Sequence, residues 1–256
     1  MSAATSLGFI AGPAIAGLLA DTPVFGFANL LPVLAAAGIS VVALAVIATM
    51  LHDVRAPASD DDEPALPLRE AARLPGVPRL LALYFVLYVG YNFFYVAFPV
   101  YATAGLGWST TRLGIFFSVL SAVLVAVQGP LMTFLTARVG DRPLYVVGGL
   151  VLAGAFASMA ALPQNWLLLS AALFGVGNGL LWPSFLSLLA EAAGDEYQGA
   201  VQGLGSSFGS AAAILGMLVG GVLYGLLGAA VFFLSAGAIG LAVVGLAVGR
   251  ERRPPD

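Results

Sequence analysis

The chain of 256 residues is 60% hydrophobic and only 9% charged, with a mean hydropathy of +0.99; a soluble domain runs at roughly 45–50% apolar and 25% charged. These values define an integral membrane protein, and apolar runs without period-two alternation exclude a β-barrel. The absence of Cys removes disulfide and thiolate chemistry, and a net charge of -3 with no basic patch excludes a nucleic-acid surface.

Turn and charge signals cut the chain into eight apolar segments, at about 4–20, 28–51, 80–103, 112–136, 143–162, 166–190, 199–224 and 228–249. The first has no basic leader region and no small-residue cleavage site, so it reads as a span and not as a signal peptide. It places Ala4, Gly8, Gly12, Ala16 and Ala20 on one helix face, with Pro13 in the middle. Helices in lipid gain nothing from hiding apolar surface from one another, and small residues at four-residue spacing let their backbones approach. Pro13 deletes one backbone hydrogen bond that a neighbour must replace. Such a face serves either as a moving interface between two halves of a bundle or as static packing.

After the second segment, His52 to Arg79 (HDVRAPASDDDEPALPLREAARLPGVPR) is polar, proline-rich and acidic, which predicts a linker outside the bilayer. Within it Leu68 to Leu74, bounded by Pro67 and Pro75, predicts two turns of surface helix. The domain plan is therefore two helices over 1–51, a cytoplasmic linker over 52–79, six helices over 80–249 and a cytoplasmic tail over 250–256. Arginine fixes the orientation. With the linker inside, Arg55, Arg69, Arg73, Arg79, Arg138, Arg142, Arg250, Arg252 and Arg253 fall in the cytoplasm and only Arg112 outside, and both termini are cytoplasmic.

The third segment is unusually aromatic (YFVLYVGYNFFYVAFPVY, Tyr84 to Tyr101). Tyr84, Tyr88, Tyr91 and Tyr95 share one helix face with Asn92 beside them. Tyr84 and Tyr101, at the span ends, read as interfacial anchors. Tyr88, Tyr91, Asn92 and Tyr95 lie deeper; phenolic rings combine apolar area with a hydrogen-bonding tip, which suits a cavity for amphipathic organic molecules. Gln128, Asn178 and Trp182 are further cavity candidates, since buried amides in lipid need a partner, either another helix or a substrate. Gln128 adjoins Gly129-Pro130 and is also placed to repair the break there. Arg138, Asp141 and Arg142 follow the fourth segment, and Glu191, Asp195 and Glu196 follow the sixth. Arg138, Asp141, Arg142, Glu191 and Glu196 can pair across helix ends as a cytoplasmic gate, although exposed pairs are worth only about 0–1 kcal/mol.

Shifting the chain by 204 residues lays Gly8–Leu19 over Ala212–Leu223, matching Ile10 to Ile214, Gly12 to Gly216, Gly17 to Gly221 and Leu19 to Leu223. Gly8 and Ala16 meet the small residues Ala212 and Gly220. Each copy is followed by one more span ending in basic residues, the pattern of a parallel transporter repeat.

These residues resemble the major facilitator superfamily, transporters of two six-helix halves joined by a cytoplasmic loop. GFIAGPAIAGLLAD, with Gly12, Pro13 and Gly17, is similar to the antiporter signature in the fifth helix of its proton-driven drug exporters; Ala16 replaces the usual first glycine of the small pair. Gly129 to Gly149 resembles the second-half loop motif, with Gly140, Asp141 and Arg142 on its turn. Asn178 to Gly225 is similar to helices ten and eleven of tetracycline-type and multidrug exporters, with Met217 where many carry proline and Gln198 where many carry arginine. Gly216, Gly220 and Gly221 fall in this stretch. The resemblance implies an all-α polytopic membrane protein corresponding to helices five to twelve, with helices one to four as a separate or lost segment.

The function so implied is a secondary active transporter for small hydrophobic or amphipathic molecules, working by alternating access as proton-coupled efflux. Its partners are a small-molecule substrate, the proton and the lipid bilayer; no cofactor, metal or nucleic acid is expected. An uptake permease and a non-transporting membrane remnant are the alternatives. None of the proposed spans carries an acid, base or His in its central part, so a coupling group of the kind buried in proton-driven transporters is expected elsewhere. An intramembrane enzyme finds no support: the sole His, His52, sits at a span end and no HExxH occurs.

Overall fold

The computed structural model describes residues 30–50 and 68–248, together with Gly12, Ile15–Gly17 and Leu19. The positions singled out in the sequence that fall outside this set include Gly8 and Pro13, most of the linker and the tail. Among the described residues every regular element is helical.

Helix α1 (Leu30–Met50) buries no residue against the rest of the described chain. A short α2 (Leu68–Ala71) follows the linker, one turn where the sequence predicts two, and it buries Ala71. The six-helix unit begins with α3 (Val77–Val100), which runs through Pro99 into a π turn (Tyr101–Gly105). Helix α4 (Thr110–Ala126) is capped by the Ser109 hydroxyl, which accepts from the Arg112 N–H at 3.2 Å. A second π turn (Val127–Leu131) joins it to α5 (Met132–Val139). Gly140, at φ 82°, turns the chain into α6 (Asp141–Ala161).

Beyond the 3-10 turn Gln164–Trp166 lies α7 (Leu167–Leu227), and after the turn Gly228–Ala230 comes α8 (Val231–Val248). The helical stretch Gln164–Val248 has 85 residues, about 130 Å at 1.5 Å per residue, whereas the hydrocarbon core is about 30 Å thick. It therefore crosses three times, breaking at Gly194 (φ 66°) and Gly228 (φ 58°). The sequence predicts an eight-residue connection at 191–198. Instead helix continues to either side of Gly194, because EAAGDEYQ is rich in good helix formers and one left-handed glycine suffices to redirect the chain.

Close approach of backbones holds the unit together. A Cβ on Gly148 would lie 2.6 Å from the Leu181 nitrogen, and one on Gly177 would lie 2.6 Å from the Leu152 nitrogen, so α6 and the first arm of α7 touch at glycine on both sides. On the opposite flank of that arm, Gly175 abuts the Leu120 carbonyl and Gly179 abuts Val127, each at under 3 Å from an added Cβ. The second arm of α7 lies on α3 through Gly209 against Tyr84, Gly216 against Asn92 and Gly220 against Phe93. Behind these contacts an aromatic core joins five helices: Phe98 stacks on Phe116 at 4.1 Å between centroids, and Phe94 meets Phe156 at 5.4 Å, Phe174 at 5.1 Å and Phe232 at 6.4 Å.

Opposite ends of the unit differ in charge. At one end Arg79 donates to the Gly245 carbonyl and Arg142 donates to the Leu246 carbonyl at 3.0 Å, so two guanidinium groups cap the last turn of α8. Glu70 of α2 reaches the same end: Glu196, then burial, then Glu70 push the Tyr197 phenol up. At the other end Arg112 lies over the Trp108 ring at 4.4 Å, and the Trp108 indole N–H donates to the Gln164 side chain at 3.3 Å.

A methyl group added at the α6–α7 crossing has no room. Gly177→Ala is expected to lower stability by about 1–3 kcal/mol, whereas Gly154→Ala, whose added Cβ meets nothing within 4 Å, should leave it unchanged or slightly higher. Thermal and denaturant unfolding of the detergent-solubilised protein measures both.

Candidate functional site

Four helical segments enclose a cavity of about 450 Å³. Its walls are Tyr88, Tyr91, Asn92 and Tyr95 from α3, Phe117, Leu120, Ser121 and Leu124 from α4, Gln128 from the π turn, Asn178 and Trp182 from the first arm of α7, and Ala213 from the second. All seven residues that the sequence singles out as cavity candidates thus come together on one surface. Phe117, Leu120, Ser121, Leu124 and Ala213 escape sequence reasoning, because an apolar run in lipid gives no contrast between a face turned to lipid and one turned to a cavity.

The side chains are fixed by contacts with one another. The Tyr91 hydroxyl donates to the Asn178 Oδ1 at 2.6 Å, tying α3 to α7. Asn92 Nδ2 donates to the Tyr88 carbonyl one turn back, at 2.8 Å. Trp182 stands edge-on to Tyr84 and Tyr88 at 5.4 Å and to Tyr91 at 6.4 Å, while Tyr84 and Tyr88 stack at 4.9 Å with their planes 7° apart. Tyr84 is 5% exposed; it is a buried member of this cluster under Gly209 and not the interfacial anchor that its place near the end of the span predicts. The opening at Gly209 explains the difference, since only a residue without a side chain leaves room for the ring.

Gln128 owes its position to a local break. Pro130 cannot donate a backbone hydrogen bond, Gly129 leaves helical geometry at ψ -111°, and the π turn absorbs the extra residue. The Gly129 carbonyl accepts from the Thr133 hydroxyl at 3.4 Å, so Thr133, one turn on, is the side chain that meets the break. Among the described residues Gln128 makes no side-chain hydrogen bond, and its amide faces the cavity. The cavity therefore presents aromatic faces and edges, uncommitted amide groups and hydroxyls, with no carboxylate, guanidinium or imidazole among the described residues of its lining. It can hold an aromatic or amphipathic molecule and orient it by a few hydrogen bonds.

The remaining sequence candidates lie elsewhere. Gly17 is buried against α4, where a Cβ would lie 2.8 Å from the Gly114 Cα, and the Thr111 hydroxyl donates to the Gly17 carbonyl at 3.2 Å. Gly12 and Ala16 are exposed. Gly216 and Gly220 contact α3 within the six-helix unit, and Gly221 sits 3.9 Å from Val96 by the same measure. Arg138 lies over the Phe134 ring at 3.8 Å. Asp141 opens α6, where a carboxylate is favoured by the exposed N–H groups of the first turn. Glu191 and Glu196 are exposed on either side of Gly194.

A bundle that is all-helical among the described residues, with several crossings long and apolar enough to span a bilayer, is a multi-pass membrane protein. Residues 80–256 match the family model described as Major Facilitator Superfamily, and the chain belongs to that superfamily, a family of transporters and not of enzymes. It is similar to the class G tetracycline resistance protein of Vibrio anguillarum, 24% identical over 229 residues that cover 88% of this chain and 57% of that protein. The class D protein of Salmonella ordonez is 24% identical over 226 residues, covering 86% of this chain and 55% of its own length. The multidrug resistance protein MdtH of Cronobacter sakazakii is 31% identical over 131 residues, covering 50% of this chain and 32% of its own. The chain spans about half the length of the first two.

Among the described residues the Tyr91–Asn178 bond is the one side-chain hydrogen bond across this cavity wall that joins two helices. A double-mutant cycle of Tyr91→Phe and Asn178→Ala should return a coupling energy of about 0.5–1.5 kcal/mol in denaturant unfolding. Additive effects would mean that the two side chains are not paired in the folded protein.

Proposed function

We propose that this chain supplies the substrate-binding wall of a secondary transporter that expels small hydrophobic or amphipathic molecules by alternating access. The observation that carries the reading is the uncharged cavity of tyrosine, tryptophan and amide side chains. The names of the relatives, tetracycline and multidrug resistance proteins, favour efflux over uptake. Tetracycline, a fused-ring molecule with several polar groups along its edge, matches a cavity that offers rings and scattered hydrogen-bonding groups.

The protein sits in the cell membrane with both termini cytoplasmic. Supporting this, the end that carries Arg79 and Arg142 also holds Arg69, Arg73 and Arg138, against Arg112 at the other, which follows the positive-inside pattern. The crossing of Gly17 with Gly114 is the hinge surface on which the segment before the linker moves against α4; contact through glycine backbones allows sliding with little repacking. Arg138, Asp141, Arg142, Glu191 and Glu196 supply closing contacts at the cytoplasmic end, each exposed pair worth about 0–1 kcal/mol, so that opening costs little. Transport is coupled to protons through a group outside the described lining of this cavity, among whose residues no Asp, Glu or His occurs.

Trp182 makes the reading testable. Tetracycline added to the purified chain should quench tryptophan fluorescence saturably; Trp182→Phe should abolish that quenching, and Gln128→Leu should weaken binding about fivefold through loss of one hydrogen bond. Saturable quenching that survives in Trp182→Phe, or none in the unsubstituted protein, overturns the assignment of the cavity. In cells, expression should lower tetracycline accumulation, and a protonophore should restore it. Raised accumulation would instead establish uptake.

A further inference from the structure

We infer that the lipid-facing groove between α3 and α8 is a binding site for one anionic phospholipid, with an acyl chain in the groove and the headgroup on Arg79. The groove has a volume of about 400 Å³ and, among the described residues, is lined by apolar ones alone, including Phe85, Val89 and Phe93 on α3 and Phe233, Leu234 and Leu241 on α8. It plays no part in the cavity described above, from which it is separated by the body of α3.

Inside a bilayer an apolar groove is always filled by lipid tails, and tails gain nothing by exchanging one apolar neighbour for another. A groove becomes a site for a particular lipid only when a headgroup is held at its end. Arg79 meets that requirement. It precedes Phe85 by six residues, about 9 Å along the helix axis, at the end of the bundle where α8 finishes. Its guanidinium is exposed and is anchored by donation to the Gly245 carbonyl, which leaves the remaining N–H groups of its five to meet a phosphate.

The surrounding charge has the same sign. Arg142 is bound to the next carbonyl along, that of Leu246. Basic residues gathered where a span leaves the membrane, around a pocket between helices, favour a lipid of net negative charge over a zwitterionic one. The lipid bridges α3 and α8 along the groove, beyond the link that Arg79 makes to the Gly245 carbonyl, and it ties α8 to the helix that carries four of the cavity residues.

The purified full chain is incubated in mild detergent with equal amounts of phosphatidylglycerol and phosphatidylcholine of identical acyl chains, and native mass spectrometry counts what is retained. One phosphatidylglycerol should remain bound, preferred about fivefold. Two substitutions divide the site. Arg79→Gln keeps an N–H for the Gly245 carbonyl and removes the charge; Gly237→Leu fills the groove at a position where an added Cβ meets nothing within 4 Å. Each should bring the preference to about one while leaving tetracycline quenching of Trp182 unchanged. Equal retention of the two lipids by the unsubstituted chain, or an undiminished preference in either variant, overturns the site.

Discussion

The approach of backbones at glycine is the constraint on which the rest of this structure depends. In water a bundle of helices is driven together by burial of apolar side chains, but in lipid that drive vanishes and van der Waals contact with satisfied polar groups must serve. The first arm of α7 shows the consequence. Gly177 is pressed on α6 at Gly148 and Leu152, while Gly175 is pressed on α4 at Leu120 and Gly179 on the following π turn at Val127. With two flanks fixed in this way, the residues between, Asn178 and Trp182, take their places in the cavity wall opposite α3. The cavity is thus the space that remains once the glycine flanks have been brought into contact.

Interruptions of helical geometry complete what packing begins. The π turn at Val127–Leu131 lets Gly129 and Pro130 pass without losing the span, and it leaves the Gln128 amide uncommitted at cavity depth. The Tyr91 hydroxyl has the opposite fate, spent on Asn178. The proposed substrate cavity needs both: paired groups that hold the wall and unpaired ones that a substrate can engage. The second class is tolerable in lipid only where the space is open enough for water or ligand to reach. Elsewhere the Tyr145, Ser184 and Ser235 hydroxyl oxygens are buried without a partner, each a local cost that the close packing around α6, α7 and α8 sustains.

Two ends of one bundle follow different rules. At the end rich in arginine, guanidinium groups terminate α8 by binding its last carbonyls, and the carboxylates of Glu70 and Glu196 gather near Tyr197. The opposite end is closed by the stacking of Arg112 on Trp108 and the Trp108–Gln164 hydrogen bond. An asymmetry visible as a count of arginines in the sequence becomes in the structure a difference in how helices are finished.

Much of this was legible in the chain itself. Where the spans fall among the described residues, hydropathy and length place them to within a few residues because the bilayer sets one length for all of them, and the spacing of Tyr88, Tyr91 and Tyr95 marks one face because helical geometry in lipid has no alternative. The amides Asn92, Gln128 and Asn178 stand out because a polar group in an apolar run is costly unless it has a purpose. Local sequence misjudged the passage at Gly194, where helix-forming neighbours outweighed the polar character that reads as a loop, and Tyr84, whose burial depends on the bare backbone of Gly209 more than a hundred residues away. Only the tertiary structure decided which glycines meet which helices, that Phe117, Ser121 and Ala213 share a wall with the tyrosines, and that Arg79 and Arg142 finish α8. Each of these is a pairing between distant parts of the chain, and where one apolar helix differs from the next by little more than the position of its glycines, the pairing is settled by fit.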